Sequence, residues 1–369
     1  MMNKTVWDKY AEVLVDYSTK VQKGDLVQIR ATSAYARELV KAVYKRVIEK
    51  GAHAIVRTSI EDMSDLFIKL ASDEQLDYVD PVTKLEYETV DKFISIGAPL
   101  NTKNMARADL KKLARRGKAT KQLSEILMKR SADGDASWVI ADVPTHALAQ
   151  EAKMSIDEYS EFLFKSCYLD LEDPVAKLKE LDEKQTNWAN YLNNVKKIRI
   201  TGDRTDITFG VEGRKWISCS GLNNYPDGEV FTSPVEDDVN GEIYFDFPQN
   251  YRGNSATGVH LWIENGKIVK AEAETGQAFL NAMLDMDEGS RFIGEIAIGT
   301  NDEIQEITGS ILFDEKIGGS IHMAAGASYP ETGGKNVSGL HWDMIKNMKQ
   351  GGKIYADDVL IYENGKFLI

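Results

Sequence analysis

The sequence predicts an α/β N-terminal domain with a mostly parallel sheet, followed by a mixed α+β, β-rich C-terminal domain. Helical and extended patterns alternate through the first half of the chain. After Asn194 they give way to short strands separated by turn residues. The length of 369 residues also exceeds the roughly 100–200 residues of a single domain.

Residues 5–20 carry Val6, Tyr10, Val13, Leu14 and Tyr17 at helical spacing. The turn Gly24-Asp25 then leads into the alternating run 26–30. A helix is expected over about residues 35–49, stopped by Gly51, and the apolar run 54–56 completes a βαβ unit. The rhythm recurs with a strand at 93–96, a basic helix at about 104–129 and a strand at 138–141, which favours a parallel sheet covered by helices. The chain lacks GxGxxG after its first strand and lacks GxxxxGK, so the dinucleotide and P-loop devices are excluded. A helical stretch from about 156 to 194 ends the first domain, giving expected domains 1–194 and 195–369.

The second domain opens with strands at 198–200 and 207–209 around the turn Gly202-Asp203. Asn265-Gly266 and Asn364-Gly365 each sit between apolar runs, the mark of a tight hairpin. Helical patterns return at about 275–287 and 342–349, so the class is mixed.

The formal charge of -13, from 58 acidic against 45 basic side chains, argues against phosphate backbones and anionic membranes as partners. The basic helix with Lys111, Lys112, Arg115, Arg116, Lys118 and Lys121 lacks interleaved aromatics and is read as a solvated face, not a nucleic-acid stripe. Cys167 and Cys219 are too few for a disulfide framework, which points to a reducing compartment. With neither a signal-length apolar run at the N-terminus nor a stretch of about 20 apolar residues elsewhere, a cytoplasmic location is expected.

Chemistry gathers in the second half. His341 and Asp343 are two apart, so an extended backbone puts an imidazole and a carboxylate on one face. Glu315 and His322 are joined through Gly318-Gly319, where the backbone can bend to bring both side chains to one point. Glu229 follows the turn Pro226-Asp227-Gly228, and Glu295 sits among apolar neighbours in RFIGEIAIGTN. A carboxylate turned inward there needs a cation. Together these residues offer four carboxylates and two imidazoles. A catalytic mononuclear zinc uses about three protein ligands. Two divalent ions fit both the ligand count and the charge.

These segments, PDGEVFTSP, GEIAIGTN, the DEK…IHMAAGASYPETGG block and LHWDMI, resemble the thermophilic-type metallo-aminopeptidases typified by aminopeptidase T and aminopeptidase S, and the likeness extends over nearly the whole chain. The resemblance implies two divalent ions bound through Glu229, Glu295, His322, His341 and Asp343, with Glu315 serving as a further metal ligand or in proton transfer. It also implies that Tyr329 lies near the reacting carbonyl, that the protein is a homodimer, and that peptides with a free N-terminus lose their first residue to a water activated by two metals. Zinc, cobalt, manganese and magnesium all accept such ligands. Another metal-dependent dipeptidase or amidohydrolase, and a non-catalytic peptide- or metal-binding protein, are the alternative readings.

Overall fold

The run Leu26–Ala31 is buried at four of its six positions and half-buried at Leu26 and Arg30, as a strand in the interior of a covered parallel sheet is. The computed structural model describes residues 4–251 and 253–369. In it this strand belongs to a five-stranded sheet in the order His53–Thr58, Leu26–Ala31, Lys92–Gly97, Ser137–Asp142, Asn224–Tyr225. All of its pairings are parallel. The crossover helix Arg37–Glu49 buries Leu39, Val43 and Val47 and ends before Gly51, whose φ of +73° suits a helix stop.

The structure refines several expectations in this half. The first helical stretch is an α-helix, Val6–Glu12, closed by a Thr5–Asp8 capping box. It widens to a π-helical turn over Val13–Ser18, where Thr19 bonds Leu14 through both its amide and its hydroxyl. The basic helix runs over Leu110–Ala132 with Asp109 as its N-cap. Arg115 pairs with Asp73 and Asp77, while Lys112 and Arg116 donate to backbone carbonyls at Lys69, Ala71, Leu76 and Tyr78. The helix thus spends much of its charge on its own neighbours. The stretch expected to be helical from 156 to 194 is two helices, Ile156–Ser166 and Pro174–Leu192. Tyr168 adopts a positive φ of 54° between them, and Pro174 has no N–H with which to continue the first.

In the second half, an eight-stranded antiparallel sheet carries both Asn-Gly hairpins, with positive φ at Asn265, Gly266, Asn364 and Gly365 as a type I′ turn demands. A five-stranded antiparallel sheet has the order His341–Asn347, Ser320–Gly326, Ile293–Gly299, Glu229–Thr232, Ile217–Cys219. One of its faces presents Ile296, Ile298, Ile321, Met323, Ala325, Trp342 and Met344, which share one core with Ile198, Ile200, Ile207, Phe209, Ile243 and Leu261 of the larger sheet. Each of the larger aliphatic side chains contributes roughly 1.5–3 kcal/mol by leaving water. The helix expected at 275–287 is present as Gln277–Leu284. The one expected at 342–349 is instead the strand His341–Asn347, paired with Ser320–Gly326 along its whole length. Those backbone partners lie some 20 residues away in sequence, beyond the reach of a local pattern.

The chain divides into two compact units. One comprises residues up to Val175 with Gly221–Tyr225, and the other Ala176–Ser220 with Pro226–Ile369. The helix Pro174–Leu192 therefore belongs largely with the second unit, whereas a boundary at 194/195 places it with the first.

Candidate metal centre

Strand alternation builds the site on the second face of the five-stranded sheet. Glu229 stands across from Gly299, His322 from Ala297, Asp343 from Ala324 and His341 from Gly326. Glu295 faces Ala324 on its other side. The polar side chains are thus interleaved with alanines and glycines, which leave a floor low enough for them to converge. Before Glu229 the chain turns at Gly228, with φ of +143°. A Cβ there would lie 2.7 Å from that of Asn301, so only glycine fits.

Glu229 and Glu295 are 5% and 3% exposed, and His322 is 1% exposed. The two histidines are oriented alike. Nδ1 of His322 donates to the carbonyl of Glu315 at 3.1 Å, and Nδ1 of His341 donates to that of Ala327 at 2.9 Å. A carbonyl only accepts, so the proton sits on Nδ1 and Nε2 faces the carboxylates. Nε2 of His322 lies 3.4 Å from Oε2 of Glu229 and 3.6 Å from Oε1 of Glu295. Nε2 of His341 lies 3.1 Å from Oε2 of Glu295 and 3.4 Å from Oδ1 of Asp343. Glu295 thereby turns one oxygen to each histidine.

Three groups of ligand-type atoms result, each within 4.8 Å: Glu229–Glu295–His322, Glu295–His341–Asp343 and Glu315–His322–Asp343. All six donor residues expected from the sequence are brought together. Tyr329, the seventh expected residue, stacks edge-on against His341 with ring centroids 5.0 Å apart and remains 37% exposed. Burial of its hydroxyl end and the nearby carboxylates raise its pKa well above the ordinary value.

The electrostatics are those of crowded carboxylates. Burial lifts Glu229 to about 8 against the pull of Lys316, and burial raises Glu315 as well. For Glu295, His322 and His341 outweigh burial and hold it below its usual value; for Asp343 the charge of His341, against burial, holds it down. In return, and against burial, His322 is pushed up to about 9 and His341 to about 12. Even so, Oε2 of Glu229 and Oδ1 of Asp343 are buried and accept no hydrogen bond. Each such atom costs about 1–3 kcal/mol or more. Each oxygen belongs to a group of ligand-type atoms in which a cation would satisfy it, so the residues fit a metal.

Sequence reasoning passed over Lys316 and Asp227. Lys316 is buried with its Nζ 2.6 Å from Oε1 of Glu229, 2.7 Å from Oε1 of Glu315 and 3.6 Å from Oδ1 of Asp227. A lysine wedged between Glu315 and the apolar Ile317 is the only trace of it in the sequence.

The sequence profile of the thermophilic metalloprotease family (M29) matches residues 3–367. Aminopeptidase 2 of Geobacillus stearothermophilus is 30% identical over 350 residues, covering 88% of this chain and 84% of that protein. Aminopeptidase AmpS of Bacillus subtilis is 27% identical over 357 residues, covering 89% and 86%. Wild-type AmpT from Thermus thermophilus has the same fold, with a TM-score of 0.84 over 99% of both chains at 21% identity. With a fold that gathers buried carboxylates and imidazoles around unsatisfied oxygens, and with the family profile spanning nearly its full length, this chain belongs to the thermophilic metalloprotease family M29 and is a metal-dependent peptidase.

Proposed function

We propose that this protein is an aminopeptidase that releases the first residue of peptides bearing a free N-terminus, with two divalent ions held by Glu229, Glu295, His322, His341 and Asp343. The observation that carries the reading is Glu295, whose two oxygens face different histidines and so link the two halves of the donor set that would hold the ions. Such ions supply Lewis acidity to the scissile carbonyl and acidify a water for attack on it.

The chain's own residues do the rest. Glu229 with His322 would hold one ion and Asp343 with His341 the other, the Nδ1 protons of both histidines being committed to backbone carbonyls, which orients the rings. Glu315, raised by burial, takes the proton of the attacking water and passes it to the leaving amine. The Tyr329 hydroxyl, kept protonated by its surroundings, donates to the developing oxyanion. The substrate's free α-amine, a cation, is drawn to the acidic site. That relatives of comparable length bear the name aminopeptidase supports this substrate class. Zinc, cobalt, manganese and magnesium all suit the oxygen and nitrogen donors. The two cysteines are unpaired, which supports a reducing, cytoplasmic setting; the homodimer is carried by the family resemblance alone.

The test is to strip metal with a chelator, restore single divalent ions, and assay short peptides with free and acetylated N-termini. Cleavage restored by metal and confined to free N-termini is expected. Cleavage of both peptides would assign another metal-dependent hydrolase, and metal binding without cleavage a binding protein.

A further inference from the structure

Lys316 has no part in the reaction described above, yet its side chain is only 1% exposed. Removing an ammonium from water costs several kcal/mol unless it is well paired, so a buried lysine persists only where partners hold it. Here the partners come from separate parts of the fold: Glu229 from the start of a strand, Glu315 from the end of the short helix Ile311–Asp314, and Asp227 from the turn before Glu229.

Two consequences follow from the geometry. The first is directional. Lys316 takes Oε1 of Glu229, leaving Oε2, which accepts no hydrogen bond and faces His322. Glu229 can therefore offer a metal one oxygen, in one direction. The same ammonium takes Oε1 of Glu315.

The second is exclusion. Cys219, Asp227 and Glu229 form a further group of ligand-type atoms within 4.8 Å of one another, with Cys219 directly across the strand pair from Glu229. A sulfur and two carboxylates are donors that zinc and cobalt accept. Lys316 reaches two of the three members, at 2.6 Å and 3.6 Å. Charge points the same way. Five carboxylates, Asp227, Glu229, Glu295, Glu315 and Asp343, against one ammonium leave about four negative charges, which two divalent ions offset. A third ion would overshoot.

We propose that Lys316 is a positioning residue: by holding Oε1 of Glu229 and Oε1 of Glu315 it restricts each to one free oxygen and closes the Cys219–Asp227–Glu229 corner to a third cation. The inference rests on the metal-centre reading of Glu229 and adds to it a residue that sets how many ions the centre takes.

Cobalt tests it without recourse to activity. Cobalt(II) bound through a thiolate gives an intense near-ultraviolet charge-transfer band that oxygen and nitrogen ligands do not. The unaltered protein is expected to bind two cobalt ions per chain after dialysis, counted by elemental analysis, and to show no thiolate band. Lys316→Met is expected to bind a third ion and gain the band, and a further Cys219→Ser change to abolish it. Lys316→Arg keeps the charge and is expected to restore two ions and no band. Should the methionine variant not fold, Lys316→Gln gives the same reading, since its amide can still donate to the carboxylates but does not repel a cation. A thiolate band in the unaltered protein, or two ions and no band in the Met or Gln variant, would overturn the proposal and leave the metal centre standing. Failure of the unaltered protein to bind cobalt at all would instead remove the metal-centre reading, and this proposal with it.

Discussion

Glu295 stands directly across from Ala324, although Ile293, two residues earlier, stands across from Ala325. Gly294 is the extra residue between them, a β-bulge that changes the face presented by everything after it. Ile293 can therefore point into the core while Glu295 points into the metal face, which a regular strand could not allow for residues two apart. A Cβ on Gly294 would lie 2.1 Å from the carbonyl oxygen of Ala327 and 2.5 Å from that of Gly326. Gly294→Ala is expected to lower stability by about 1–3 kcal/mol and to weaken metal binding by displacing Glu295. Denaturant melts and metal titration of the variant check this; a variant with parental stability and affinity would show that the bulge does not place the carboxylate.

Metal uptake should release protons. With His322 pushed up to about 9 and His341 to about 12, both imidazoles are charged at neutral pH in the metal-free protein, and Glu229, lifted to about 8, keeps most of its proton; a metal requires the imidazoles neutral and the carboxylate ionised. Calorimetric titration at pH 7 in buffers of differing ionisation enthalpy is expected to report about three protons released per chain, with affinity rising as pH rises towards 9. The sign for stability is the reverse. A raised histidine pKa stabilises the metal-free fold fully below the unfolded value of about 6.5. For His322 that contribution fades as pH rises through about 9. Heats independent of buffer would contradict the assignment.

Glu315→Gln separates its two candidate roles. As the proton carrier its loss is expected to cut kcat by roughly 10²–10⁴-fold with metal content unchanged. As a ligand its loss would lower metal content along with rate. Full activity in the variant would remove Glu315 from the reaction.

Asp142, at the end of its strand in the first unit, is lifted to about 6 by burial alone. Its carboxyl prefers the proton in the folded state, so its contribution to stability is complete below about 3.9, the unfolded value, and is lost as pH rises through 6. Asp142→Asn keeps the shape and removes the charge. It is expected to match the parent near pH 4 and to exceed it by about 3 kcal/mol above pH 7, read from paired denaturant melts across that range. A difference that does not vary with pH would contradict this account.

Local patterns in the sequence were sufficient for much of this protein. Alternation and helical spacing identified the βαβ rhythm of the first half, because burial on a parallel sheet imposes apolar runs that neighbours in sequence reveal. The Asn-Gly pairs identified both hairpins, because few other residues tolerate the positive φ that the turn requires. The six donor-type residues that the structure brings together were also legible, five beside a glycine or an apolar residue and Glu315 through its Gly318-Gly319 link to His322. Tertiary structure decided the rest. Residues 342–349 are a strand because Ser320–Gly326 supplies their hydrogen bonds, a pairing that no local window contains. The break at Tyr168, the bulge at Gly294 and the tautomers of His322 and His341 depend on backbone geometry, not on residue type alone. Lys316 was hidden for the same reason: a lysine in a sequence is solvated by default, and only the convergence of Glu229, Glu315 and Asp227 from separate segments makes its burial tolerable.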